Sequence, residues 1–345
     1  MLQDVFISRR RQPAGGFDIN DARLPTPAGC RLRLSKILPP RVARIACICL
    51  FFLVPSLASA AWDKVPTVDW SKLKPSDFRD DELDIPFFLD HFHELLDGIQ
   101  ETGPERGWIN IRVWRGQRQQ HSYNARVMES YLAVAHFYCT DRPWNIYRGS
   151  PAVRQRLEAM FEYWLTLQSK DGEFSEYGPG RYNLPATAFA TKFMGQTLTL
   201  LKDGPPIDPD LLKRVTEADR KAIIATFIIP ELYAHAKIYT NQYSNVFAGA
   251  PAYIALHPDA EITRLLNEVF ARSARDFMSP AGFFYEHDAS DFGYTLHTTN
   301  SDMTMAYFYL KGTPLGELIE QEEARWVDWL DSATTSCASR TVRRS

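Results

Sequence analysis

Apolar side chains recur at steps of three and four through most of this chain, and almost nowhere at steps of two. Ile85, Leu89, Phe92 and Leu96 make one such stripe, and Val127, Tyr131, Val134 and Tyr138 a second. Val153, Leu157, Met160 and Trp164 make a third, and Ala190, Met194, Leu198 and Leu201 a fourth. Steps of three and four return to one face of an α-helix, whereas a half-buried strand would alternate. The pattern predicts helices over 81–100, 124–138, 151–167, 185–201, 210–229, 243–256, 262–277, 299–310 and 317–330. Pro151 and Pro185 open two of them at a position where a missing N–H costs nothing. Pro230 is expected to stop another, and Pro251 to kink the helix that contains it. The expected fold over 81–330 is therefore all-α, an array of antiparallel helical hairpins closed by polar loops.

One of those loops concentrates the polar chemistry. Residues 279–303 place Tyr285, Glu286, His287, Asp288, Asp291, Tyr294, His297, Asn300 and Asp302 between a turn with Pro280 and Gly282 and an apolar helix. Loops held by a rigid scaffold can aim functional groups, so this density marks a site. Residues 171–201 echo it: Gly172-Glu173-Phe174-Ser175-Glu176 aligns with Gly282-Phe283-Phe284-Tyr285-Glu286. Such an echo implies a repeated unit of helix, polar loop and helix.

The two ends of the chain read differently. Residues 1–40 are rich in Arg and Pro, and Arg41 and Arg44 then precede the apolar run from Ile45 to Val54, with Ala58-Ser59-Ala60 after it. Basic residues, a short apolar core and a small-x-small site read as a signal peptide cleaved after Ala60, which implies a secreted or periplasmic protein. The run is short for a membrane span and is broken by Pro55, so no stable membrane anchor is expected. Residues 61–80 read as an extended lead-in. Nine of the 39 basic and three of the 42 acidic residues lie in 1–60, leaving 30 and 39, a formal charge of −9. A surface of that sign disfavours nucleic acid as a partner. Only Cys139 and Cys337 follow the leader, too few for a disulfide framework or a cysteine zinc site. From Asp331 the text turns to Ser, Thr and Arg without apolar period, and 331–345 is expected to be disordered.

Four clusters carry residues suited to a ligand: Trp108 to Arg126; Glu176, Tyr177, Arg181, Tyr182 and Asn183; Thr240-Asn241-Gln242-Tyr243-Ser244-Asn245; and the loop with Glu286, Tyr294 and His297. Asn241 and Asn245 are four apart, so a helix through both puts two uncharged amides on one face, where they could bind a carboxylate. An N-cap at Asn241 and a solvated Asn245 fit the same spacing. Tyr294 and His297 are three apart, which suits an acid–base pair acting on one substrate atom, and either also suits a core. Glu176 and Glu286 hold equivalent places in the echoing loops, where capping or pairing with Arg181 is the plainer role. Trp108 and Tyr182 could stack on sugar rings, although burial in the helical core is the plainer expectation for each alone. His91 and His93 point to different helix faces and lack the four-residue spacing of a helical zinc pair, so no metal site is expected. No cofactor-binding loop of Walker type occurs, and no cofactor is expected.

Helical hairpins behind a signal peptide, the loops DGEFSEYGPGRYN and AGFFYEHDASDFGY, the NQYSN helix start and the late His297 together resemble heparinase II/III-like polysaccharide lyases. The resemblance spans about residues 69–330. It implies an incomplete (α/α) toroid and β-elimination on a uronic-acid-containing polysaccharide. By that likeness Asn241 or Asn245 would bind the uronate carboxyl group, and Tyr294 and His297 would move protons. Arg126, Glu176, Tyr182, Asn183, Glu286 and Trp108 would line the substrate. Family members continue into a C-terminal β-sandwich, and none is visible here. Two other classes fit the residues. An α/α-barrel glycoside hydrolase would need two carboxylates across a cleft, drawn from Glu176, Glu286, Asp288 and Asp291. A non-catalytic glycan-binding protein would need only the aromatic residues.

Overall fold

The computed structural model describes residues 61–110, 121–282, 284 and 297–342. The leader expected over 1–60 lies outside them. Among the described residues the regular structure is helical: α1 Ile85–Asp97, α2 Ala125–Met128, α3 Tyr131–Cys139, α4 Pro151–Thr166, α5 Leu184–Asp203, α6 Pro209–Ile228, α7 Pro230–Ala236, α8 Thr240–Tyr243, α9 Asn245–Leu256, α10 Ala260–Phe277, α11 Thr299–Leu310 and α12 Pro314–Val342. Strand-like pairing among these residues is confined to four isolated bridges. The fold is all-α. Ahead of α1, the lead-in carries three short 3₁₀ turns. No described helix is long and apolar enough to cross a membrane.

Local chemistry explains where several helices begin. The side chains of Asn124, Asn183, Asp208 and Asp259 each accept from a backbone N–H in the first turn of α2, α5, α6 and α10. Each satisfies a donor that has no partner within its own helix.

Elsewhere the structure departs from the spacing. The helix expected over 124–138 breaks between α2 and α3, where Ser130 Oγ donates to Val127 O at 2.9 Å and competes for a carbonyl the helix would use. Pro230 ends α6 and opens α7 at once, since proline lacks the N–H that α6 needs and a first turn does not. Pro251 lies inside α9, which continues through it. Finally, α12 runs on to Val342 through residues expected to be disordered. Beyond Gly316 it meets no glycine or proline, so propagation from a formed helix is cheaper than the sequence period suggested.

The stripes fill the core as their spacing requires: Leu89, Leu96, Val134, Val153, Leu157, Met160, Trp164 and Met194 are all fully buried. Helices α3, α5, α9 and α11 pack side by side, α5 on α3 and α9, and α9 on α11. A second row, α4, α6 and α10, packs against them, and α12 packs on α11. The α5–α9 crossing is tight because it is made by glycine: a methyl group on Gly249 would sit 2.5 Å from Thr191. Across the bundle α5 and α11 run parallel, with Lys192 facing Asp302, Gln196 facing Met305 and Thr199 facing Tyr309.

The repeat seen twice in the sequence occurs three times in space. After α1, α4 and α10 the chain makes one bridge, Ile99 to Ile109, Gln168 to Phe174 and Met278 to Phe284. Two residues before the second partner stands a glycine with positive φ, at +94° for Gly107, +102° for Gly172 and +88° for Gly282. Each rests on the backbone of a later helix. A Cβ there would lie 1.8 Å from Ala159 O of α4, 2.5 Å from Lys221 O of α6 and 2.3 Å from Glu322 O of α12. Glycine is required twice over, by the left-handed backbone and by the approach. The first copy escapes the sequence comparison because Ile109 stands where the others have Phe.

Candidate functional site

Several of the polar residues picked out in the sequence lie at helix starts: Arg126 in α2, Asn183 ahead of α5, Asn241 in α8, Asn245 in α9 and His297 ahead of α11. The loop before α5 is tied to the start of α2, since Ala125 N donates to Ser175 O at 2.9 Å and Ser175 Oγ donates to Tyr123 O at 2.7 Å. Asn183 serves both sides of that loop. Its Oδ1 accepts from Ala186 N at 3.0 Å, and its Nδ2 donates to Glu176 Oε2 at 3.1 Å. Glu176 is thereby held with 1% exposure. Arg126 donates to Glu129, and its guanidinium lies 3.6 Å from the centre of the Phe189 ring on α5. A guanidinium over an aromatic face is stabilised by the ring quadrupole.

Lys192, one turn further along α5, lies 2.7 Å from Asp302 Oδ1 on α11. Both side chains are buried, with 8% and 1% exposure. Ser244, at the junction of α8 and α9, donates to Asp302 Oδ2 and sits 3.1 Å from Asn241 O. Asp302 thus joins α5, α9 and α11 through one carboxylate. Burying such a pair adds little net stability, because desolvation offsets attraction. Its consequence is register: each charge rejects any packing that separates it from the other.

Asn241 is 4% exposed, in the single-turn helix α8. The Asn245 amide nitrogen donates to Asn241 O at 2.8 Å and Gln242 O at 3.2 Å. Both its protons are spent on the backbone, which leaves its buried Oδ1 without a partner. Asn245 therefore offers a ligand an acceptor, and a carboxylate needs a donor. Tyr182 is 40% exposed and forms a bridge with Ser175, the neighbour of Glu176, and His297 is exposed two residues ahead of α11. Trp108 belongs elsewhere. It is 7% exposed within the core of the first half, so no ring face is left for a sugar. Tyr294 and Glu286 lie outside the described residues.

Lys192 and Glu129 entered no sequence cluster, Ser244 lay in the Thr240–Asn245 cluster without a role of its own, and Asp302 was one polar residue among many in its loop. The pattern that could have found the pair is charge isolation. Lys192 is the sole charged residue between Leu184 and Leu201, and Asp302 the sole one between Thr298 and Leu310. A lone charge on an apolar helix has to meet its opposite when both are buried.

Among the described residues no three His, Cys, Asp or Glu side chains come together as a metal-ligand set. His91 instead pairs with Glu94 at 3.5 Å on an exposed face of α1. Two groups near the first half are shifted by burial: His136 is lowered to about 4, and the Cys139 thiol is pushed up to about 12. Neither lies among the residues gathered at these helix starts.

No family model, curated protein or solved structure matches this chain.

Proposed function

We propose that the chain is a polysaccharide lyase that cleaves a uronic-acid-containing polysaccharide by β-elimination on an incomplete (α/α) toroid. The observation that carries this reading is the buried Lys192–Asp302–Ser244 chain that reaches the backbone carbonyl of Asn241, with Arg126 packed on Phe189 one turn before Lys192. Removing a proton next to a carboxylate piles a second negative charge on that group, so catalysis needs cationic and amide donors already in place. Helix N-termini add partial positive charge of the same sign. In this reading Asn241 and Arg126 hold the uronate, with Tyr182 against a sugar ring. Tyr294 and His297 serve as base and acid, each typically contributing about 10² to 10⁴ in rate when well placed. Two rows of helices, each packed on its neighbours in chain order, support the toroid. Export to the periplasm or medium completes the reading, since such polymers lie outside the cell.

The test is a panel of uronic-acid polysaccharides followed by ultraviolet absorbance. New absorbance from an unsaturated sugar end is expected with at least one polymer, lost in Asn241→Ala and strongly reduced in Tyr294→Phe without loss of affinity. New reducing ends without absorbance would identify a hydrolase instead, with Glu176 the first carboxylate to replace. Binding without turnover would leave a glycan-binding protein.

A further inference from the structure

α12 docks through a stripe spaced by four, three and four: Leu315, Ile319, Glu322 and Trp326 are all buried. Three are apolar. The remaining one is a carboxylate where the helix period calls for another aliphatic side chain. Its Oε1 accepts from Arg325, while Oε2 is closed off from solvent and has no hydrogen-bond partner. Glu323 beside it accepts from the amide of Asn300 on α11. Both face a void with room for about one water molecule, between Phe270 of α10, Phe284 of the preceding loop and Met303 of α11. From α10, the loop and α11 no charged side chain lines this void among the described residues, and from α12 only Glu322 and Glu323 do. Asp302, on the same helix as Asn300, is engaged with Lys192 and Ser244. Two carboxylates against the one guanidinium of Arg325 leave a negative charge in excess at a largely buried seam.

The other copies of the repeat lack this feature. Where Gly107 rests on Ala159 the next residue is Met160, and where Gly172 rests on Lys221 it is Ala222, both fully buried. Where Gly282 rests on Glu322 the next residue is Glu323. One seam of three carries an ionisable group at this place.

We propose that the α11–α12 seam is a pH-sensitive latch, in which Glu323 holds a proton when α12 is fully docked and loosens the helix when it ionises. Burial raises the Glu323 carboxyl from its ordinary 4.5 to about 7, with the Asn300 hydrogen bond opposing. The folded seam therefore holds its proton more tightly than the unfolded chain does. Docking is strongest in acid, weakens as pH rises from 4.5 to about 7, and is level above that. Asn300 stands two residues before Asp302 on α11, so the latch bears on the helix whose Asp302 engages Lys192 of α5 and Ser244 ahead of α9. It does not depend on which reaction the site performs.

Hydrogen exchange across 299–330 at about pH 5.5 and about pH 8, corrected for intrinsic rates, tests the latch. Protection of these amides is expected to fall by about tenfold or more at the higher pH in the native sequence, while 151–166 stays level. Glu323→Gln and Glu323→Met, the latter copying Met160, should each remove that dependence. Two variants guard against one failing to fold. Protection that is equal at both values, or that falls alike in the native chain and both variants, overturns the proposal.

Discussion

Gly107 and Gly282 hold matching places at the two ends of the described helices, and the seams they close differ in kind. Around Gly107 the buried side chains nearest the contact are apolar, Ile109, Met160 and Trp108, and no carboxylate is buried there among the described residues. Around Gly282 the same backbone approach is made onto a helix whose buried stripe includes Glu322, with Glu323 beside it. An identical backbone device thus serves two ends, permanent closure in one seam and conditional closure in the other. Apolar burial has no titration to undo it, whereas a buried carboxyl ties docking to proton supply.

The largest effect that can separate the seams comes from the glycines. Gly107→Ala forces a left-handed residue and drives a methyl group into Ala159 O, and strain plus overpacking add up to about 6 kcal/mol. Denaturant unfolding should show a loss of that order. Gly282→Ala makes a comparable clash at Glu322 O but should free only α11 and α12, seen as exchange confined to 299–330. If both variants lower global stability equally, the two ends fold as one unit and the contrast fails.

Next comes the pair that crosses between the halves. Lys192→Met leaves Asp302 charged in a buried place, and breaking one side of such a pair costs about 3 to 5 kcal/mol. Adding Asp302→Leu should restore much of it, because no unpaired charge then remains. A double variant as weak as the single one would mean that the network stabilises by hydrogen bonding through Ser244 rather than by charge.

The smallest expected effect has the opposite sign to the latch. His136 on α3 is lowered to about 4 from 6.5 by burial, and its Nε2 has no partner. The folded state refuses a proton that the unfolded chain accepts, so this contribution is complete above pH 6.5 and declines as pH falls toward about 4. The decline amounts to about 2 to 3 kcal/mol. His136→Phe should flatten it, measured as thermal stability across that range. The first half then weakens in acid while the last seam weakens toward neutral pH, and a common pH dependence of both regions would refute the division.

Much of the fold was legible because helix formation is local. Stripes at three and four, and proline or asparagine at helix starts, located nearly every helix of the first half within a few residues. The breaks at Ser130 and Ser244 were not legible, since each turns on a side chain bonding backbone or a distant carboxylate. Of the polar residues described at the helix starts, Asn183, Asn241 and Asn245 were already picked out by spacing and loop position in the sequence. For Trp108 the sequence left both a sugar-stacking role and burial open, and the structure buries it in the core of the first half.

By itself the sequence determined an all-α chain of repeated units, because periodicity of three and four and glycine at fixed places in loops depend only on near neighbours. Tertiary structure alone decided that Lys192 meets Asp302, that Ser244 reaches the same carboxylate, and that Glu322 lies inward. Each outcome depends on the register between helices far apart in the chain. That register is set by side-chain packing and close glycine contacts, which no local pattern records.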